Sequence, residues 1–285
     1  MSLDAPFVAR IFRATGAVPR RAFPLGGGCV AEVLRIDLED DRVLVAKKGA
    51  SGDRLDLEGF MLRHLAEAGV PTPEVLLAED DLLLMAHVEG GDVLDTPAQS
   101  HLADMLATLH AVPQDVYGFD RDTVIGGLRQ PNPEGNRWVP FFAEHRLLYM
   151  ARQAMTAGHL SPALMARVET LAGRLERWLR EPAHPSLLHG DLWGGNILSR
   201  EGRVVALIDP ALYHGDPEIE LAFGTLFGTL GTPFFDRYRE HRPLEPGFFE
   251  DRRDLYNLYP LLVHVRLFGG SYVASVVRVL DRFGV

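Results

Sequence analysis

Lysine is nearly missing from this chain: only Lys47 and Lys48 occur, and every other member of its 29 Lys and Arg residues is arginine. Cysteine is rarer still, and the single Cys29 excludes an intramolecular disulfide. A cationic excess is also absent. The formal charge of −10 argues against a nucleic-acid or anionic-membrane surface, since each would demand a basic patch. No apolar run approaches the about 20 residues that a membrane helix requires, and the stretch 258–265 falls far short of it. The N-terminal stretch shows no charged-then-apolar leader with a small-residue cleavage site, so a cytosolic location is expected. What is present is a 285-residue chain, 47 % apolar, long enough to bury a full core as one large domain or two modest lobes.

The densest chemistry lies in Leu187-Leu188-His189-Gly190-Asp191-Leu192-Trp193-Gly194-Gly195-Asn196-Ile197-Leu198 and in the apolar run that ends at Ile208-Asp209-Pro210. An acid, an amide five residues later and a second acid after the next strand form a layout that phosphoryl transfer needs. One aspartate takes the proton of the acceptor hydroxyl, while an asparagine and another aspartate hold the Mg²⁺ that neutralises the triphosphate. Residues 197–199 and 204–208 read as short strands joined by an Arg-Glu-Gly-Arg turn, which puts Asn196 and Asp209 at the open ends of one hairpin. Gly, Asn and Asp are also the commonest turn residues, but turn chemistry does not fix this spacing. His189 reads as a structural residue that positions the turn.

Upstream, Asp4 caps a helix with Pro6 in its first turn, and Phe7, Val8, Ile11 and Phe12 make its apolar stripe up to Gly16. Gly26, Gly27 and Gly28 then sit between two alternating apolar stretches, where backbone N–H groups can approach phosphate oxygens. The strand 42–48 carries the two lysines. A compact ammonium fits between phosphates where a planar guanidinium does not. Alternation sends Lys47 and Lys48 to opposite faces, so only one can serve; Lys47 is chosen, with Lys48 as the fallback. A helix over about 54–68 places Glu58 within its apolar stripe of Leu55, Leu62 and Leu65, where a carboxylate wants a cation. An apolar strand from Leu82 runs into a polar, glycine-containing segment, and residues 96–110 have helical spacing. Residues 125–142 mix Gly, Pro and Asn with Trp138, Phe141 and Phe142, the signature of a structured loop lying over something. Amphipathic helices follow over 144–157 and 161–180, and Asp216 before Pro217 is a helix cap.

His-Gly-Asp in place of the protein kinases' His-Arg-Asp resembles the small-molecule branch of the protein-kinase-like fold. His-Gly-Asp-Leu-Trp-Gly-Gly-Asn is similar in particular to the fructosamine kinase (ketosamine 3-kinase) family, as are the Gly-Gly-Gly-Cys and Gln-Pro-Asn stretches. The resemblance implies Asp191 as catalytic base, Asn196 and Asp209 as metal ligands, and a Lys47–Glu58 pair. It also implies that adenine sits against Met85 and hydrogen-bonds the backbone of Ala86 and Val88. Gln130, Asn132, Trp138 and Trp193 become candidate contacts to the substrate. The expected fold is α+β and two-lobed, a small antiparallel-sheet lobe over 1–88 that binds nucleotide and a mainly helical catalytic and substrate-binding lobe over 89–285. The expected reaction uses ATP and Mg²⁺ to phosphorylate a ketosamine on a sugar hydroxyl, O3 by resemblance, in deglycation. An aminoglycoside- or choline-type phosphotransferase of the same fold, or an inactive nucleotide-binding interaction module, are the alternatives. Partners are thus a free or protein-bound ketosamine, with no nucleic acid and no membrane. The chain is expected to be a monomer. Cys29 beside the phosphate loop is a candidate redox site, able to form a disulfide only with another molecule.

Overall fold

The structure, a computed structural model, describes residues 4–26 and 31–285. Gly27, Gly28 and Cys29 therefore lie outside the described residues, and of the glycine run only Gly26 is placed. In chain order come α1 (Ala5–Thr15), β1 (Pro19–Pro24), β2 (Glu32–Leu38), β3 (Val43–Lys48), α2 (Leu55–Glu67), β4 (Val75–Glu79), β5 (Leu82–Ala86) and α3 (Thr96–His110). Next are β6 (Thr123–Ile125), β7 (Leu128–Gln130), α4 (Trp138–Phe142), a π turn (Ala143–Leu148), α5 (Tyr149–Thr156) and α6 (Pro162–Ala172). The remainder holds β8 (Ser186–Leu188), β9 (Ile197–Arg200), β10 (Arg203–Leu207), β11 (Tyr213–Gly215), α7 (Pro217–Leu226), α8 (Thr232–His241), α9 (Arg253–Phe268) and α10 (Ser271–Arg282). Two compact units divide these elements: residues 1–101, 126–128 and 194–210 form one, and 102–125, 129–193 and 211–285 form the other.

The first unit is built on an antiparallel sheet of order β1-β2-β3-β5-β4. α1 starts where Asp4 accepts the Phe7 N–H at 2.8 Å, with a proline in its first turn, and stops at Gly16 with φ 73°. Its Phe7 and Ile11 pack on the sheet face made by Leu34, Ile36, Leu38, Leu44, Ala46, Leu82 and Leu84. The other face presents Leu83 and Met85 to Leu55 and Leu62 of α2. Each such side chain, fully buried, contributes about 1.5–3 kcal/mol. The β9–β10 hairpin belongs to this unit for a stated reason: Leu207 N–H donates to Pro71 O (2.8 Å), and Ser199 and Gly91 exchange both backbone hydrogen bonds (2.8 and 2.9 Å).

The second unit is mainly helical around α9, whose residues from Leu255 to Val265 are buried apart from His264. β8 and β11 pair antiparallel within it, Leu188 opposite Tyr213. Asp216 caps α7, accepting the Glu218 N–H at 2.9 Å. Two boundaries differ from expectation. The helix expected from residue 144 begins at Trp138, inside the expected loop, and continues through the π turn to Thr156. The Glu181 carboxylate, far along the chain, accepts the Trp138 and Val139 N–H groups (2.5 and 3.2 Å) and so supplies the missing cap. The helix expected to reach residue 180 ends at Ala172, before Gly173 and a single 3₁₀ turn over Leu175–Arg177. Among the described residues, no helix is long and apolar enough to cross a membrane.

Candidate active site

β3 lies at the centre of the sheet, between β2 and β5, and its alternation sorts the lysines. Leu44 and Ala46 point into the core under α1, so Lys48 shares that side: its Nζ stands 4.5 Å from the Phe7 ring centroid and 3.6 Å from Asp4. Val45 and Lys47 face α2. There Lys47 Nζ donates to Glu58 Oε1 at 2.7 Å and to Asp209 Oδ1. Burial disfavours the Lys47 ammonium, but the Glu58 and Asp209 carboxylates outweigh it and hold the lysine charged, above its ordinary range. Two carboxylates share this one cation. Burial pushes Glu58 up to about 7, against the pull of Lys47 and with the Asp209 charge adding to the push.

Asp209 has φ 53°, in the left-handed region that aspartate tolerates better than most residues. The hairpin fixes it there: Ile208 N–H donates to Asn196 O (3.0 Å), and the Asn196 amide nitrogen stands 3.5 Å from Asp209 O. Asn196 is buried and the Asp209 side chain is 38 % exposed. An amide oxygen and a carboxylate gathered at one hairpin end are the hard oxygen donors that Mg²⁺ takes. Among the described residues, no group of three or more His, Cys, Asp or Glu offers another metal set. Met85 is buried beside Leu55, Leu62 and Leu83. The Ala86 N–H is already given to Glu74 O (2.9 Å), so any adenine contact at Ala86 falls to its carbonyl.

The second unit carries the turn His189-Gly190-Asp191 at the end of β8. Gly190 has φ 85°, and a Cβ there would stand 2.0 Å from Ala211 O, so only glycine fits. Ala211 N–H donates to His189 O (2.8 Å), and Asp191 N–H points at His189 Nδ1 (3.3 Å). His189 is fully buried, in keeping with a positioning role. Gly190 N–H donates to Glu220 Oε1 at 2.7 Å. Sequence reasoning missed Glu220: its place in the first turns of α7 looks like any helix-start carboxylate, and only the fold brings it to the turn.

Three residues expected to contact the substrate are buried in the second unit. Gln130 and Asn132 are 0 % and 2 % exposed. The Gln130 amide donates to Thr123 Oγ1 and Ala211 O (both 2.9 Å) and accepts from Tyr259 (2.6 Å). Asn132 donates to Thr123 Oγ1 (2.8 Å) and accepts from Arg146 (2.7 Å). Trp138 is fully buried among Phe141, Phe142 and Tyr256, with its indole N–H on Tyr256 Oη (2.8 Å). These hydrogen bonds and ring contacts tie the second unit together. Trp193 is 41 % exposed, and its ring meets Phe227 edge-on.

The family model described as fructosamine kinase matches residues 11–284 of the chain. A probable ketoamine kinase of Synechocystis sp. is 40 % identical over 181 residues, which span 62 % of this chain and 59 % of that protein. The crystal structure of a candidate fructosamine-3-kinase of Thermobifida fusca superposes with a TM-score of 0.87 at 31 % identity, over 96 % of both chains. An aminoglycoside phosphotransferase, APH(2″)-IIa, solved with streptomycin and ATP, shares the fold at 16 % identity and a TM-score of 0.66, over 99 % of this chain and 97 % of that one.

Proposed function

The chain belongs to the fructosamine kinase family, and from that premise we propose that it transfers the γ-phosphoryl group of ATP to a sugar hydroxyl of a ketosamine, O3 being the position assigned. The observation that carries the reading is Lys47 Nζ held between Glu58 and Asp209 on the central strand of the sheet. A lysine fixed this way is a charge set for the phosphates of a nucleotide.

The nucleotide-binding lobe of this proposal is residues 1–88, and residues 89–285 bind the acceptor and carry catalysis. Gly26, Gly27 and Gly28 cover the phosphates, and Met85, the Ala86 carbonyl and the Val88 N–H receive adenine. Asn196 and Asp209 would hold Mg²⁺, which supplies charge neutralisation at the phosphate oxygens. Asp191 accepts the proton of the attacking hydroxyl, and its carboxylate is aimed by a turn that only glycine can make at residue 190. Trp193, two residues on, lies against the acceptor. The consequence for the cell is removal of glycation adducts, with the protein working as a monomer in the cytosol.

ATP consumption across fructosyl, ribulosyl and erythrulosyl amines, run beside choline and aminoglycosides, tests the substrate class. Turnover with the ketosamines alone is the expected result. Turnover with only choline or an aminoglycoside would replace the acceptor assignment, and none with any acceptor would point to an inactive nucleotide-binding module.

A further inference from the structure

Trp193 does not stand alone. Its ring meets Phe227, one residue past the end of α7, with centroids 6.4 Å apart. Phe227 meets His264 of α9 at 5.1 Å, and His264 meets Tyr272 of α10 at 4.8 Å and Phe268 at 5.8 Å. Phe227 and Phe268 are 44 % and 54 % exposed. Contiguous exposed rings of this kind mark a binding surface. The strip lies within the second unit and begins at the catalytic turn, since Trp193 N–H donates to Asp191 O at 3.2 Å.

His264 supplies an unused acceptor. Its Nδ1 lies 2.7 Å from Pro260 O, and a carbonyl only accepts, so Nδ1 carries the proton. Burial holds the imidazole below its ordinary range, against the pull of that carbonyl, so at neutral pH the ring is uncharged and Nε2 keeps its lone pair. Among the described residues Nε2 has no hydrogen-bond partner, and it is open to solvent. Nor does any lysine or arginine among them stand over the rings of Trp193, Phe227, Phe268 or Tyr272. Uncovered ring faces beside a free nitrogen acceptor select a cation that carries an N–H.

A ketosamine has such a group. Its amine is joined to C1 of the sugar and is protonated at neutral pH, and four bonds, at most about 5 Å, separate it from O3. With that hydroxyl at Asp191 and the sugar on Trp193, the ammonium falls at the next rings of the strip. We propose that Phe227, His264 and Tyr272 form the subsite for the amine half of the ketosamine. The ammonium lies over the Phe227 and Tyr272 rings and donates an N–H to His264 Nε2, while the substituent on nitrogen runs on over Phe268. The inference rests on the ketosamine reading above. These residues distinguish a ketosamine from an uncharged sugar, and their effect belongs in KM, not in kcat.

The test pairs two acceptors of one shape, 1-deoxy-1-butylamino-fructose and 1-O-butyl-fructose, in which an ether oxygen replaces the ammonium. Steady-state phosphorylation of each is measured with wild type, Phe227→Leu and His264→Phe, with Tm on all three. In the wild type the KM of the amine should lie at least about tenfold below that of the ether, whose value is taken as an inhibition constant if it is not turned over. This comparison uses the unaltered protein and stands even where a variant does not fold. Phe227→Leu keeps bulk and loses the ring; His264→Phe keeps a ring and loses the acceptor. Each should raise the KM of the amine about fivefold or more, with kcat within about threefold, and move the value of the ether less than about twofold. Equal values for amine and ether in the wild type, or variants that raise both alike, would overturn the inference and leave phosphorylation of the ketosamine standing. Failure of the wild type to phosphorylate the amine at all would overturn the ketosamine reading, and this inference with it.

Discussion

Lys47 carries its charge against two carboxylates, Glu58 and Asp209, whereas Lys48, one residue on, sits over the Phe7 ring on the opposite face of the sheet. Lys47→Met should therefore cut turnover by roughly 10²-fold, the cost of removing a charge aimed at the reacting group. Lys48→Met should change activity little and stability by about 0.5 kcal/mol or less. Initial rates at saturating acceptor, with ATP titrated, separate the two; the reverse order would shift the phosphate contact by one residue. Strand alternation made it legible in the sequence that the two lysines face opposite sides, and the apolar stripe marked Glu58 as a carboxylate wanting a cation. Neither decided between Lys47 and Lys48; the pairing of Lys47 with Glu58 came from the resemblance. Glu220 was not legible. Nothing in the first turns of a helix announces that its carboxylate meets a backbone N–H thirty residues earlier.

α4 shows why local pattern misassigned one segment. Gly, Pro and Asn before Trp138 favour a loop, and no capping side chain precedes it, yet Glu181 caps the helix from a distance. Trp138 is thereby buried as a core residue. Trp138→Ala should cost about 3–5 kcal/mol of stability. Trp138→Phe, which loses the hydrogen bond to Tyr256, should cost about 1 kcal/mol and leave the acceptor KM unchanged. Denaturant unfolding and acceptor titration check both, and a raised KM in a fully stable Trp138→Phe enzyme would restore it as a substrate contact. α7 supplies a pH dependence. Burial pushes its capping Asp216 up to about 7, with the Glu218 charge adding, while the Tyr256 hydroxyl and the Glu218 N–H oppose the rise. The folded protein then holds this proton over a range, from about pH 4 to about pH 7, where the unfolded chain has lost it. This contribution is full at the acid end and is lost as pH rises through the folded value. Tm should fall between pH 5 and 7.5, and Asp216→Asn should flatten the slope. Glu58 acts in the same direction and leaves a residual slope in that variant. A wild-type slope unchanged by Asp216→Asn would mean that Asp216 is ionised throughout.

The α+β class, the small antiparallel sheet and the mainly helical remainder were implied by the resemblance that one motif carries, while periodicity marked individual strands and amphipathic helices, which are written locally. The sharing of residues between units was not. Residues 194–210 join the sheet-bearing unit through hydrogen bonds to Pro71 and Gly91, contacts whose sequence separation exceeds 100 residues and which no local pattern encodes. The burial of Gln130 and Asn132 was hidden for the same reason, since their partners Tyr259, Ala211 and Arg146 are distant in the chain or lie around a π turn. The most direct test of the account as a whole is transfer itself: phosphorylation of fructosyl-glycine, followed by mass and by ADP release, in wild type and Asp191→Ala, with ATP binding measured on both. The account predicts one ADP per phosphorylated sugar in the wild type, and in Asp191→Ala a loss of roughly 10²–10⁴-fold in turnover with ATP binding retained. Near-normal transfer by Asp191→Ala, or ADP release without a phosphorylated ketosamine in the wild type, would contradict it.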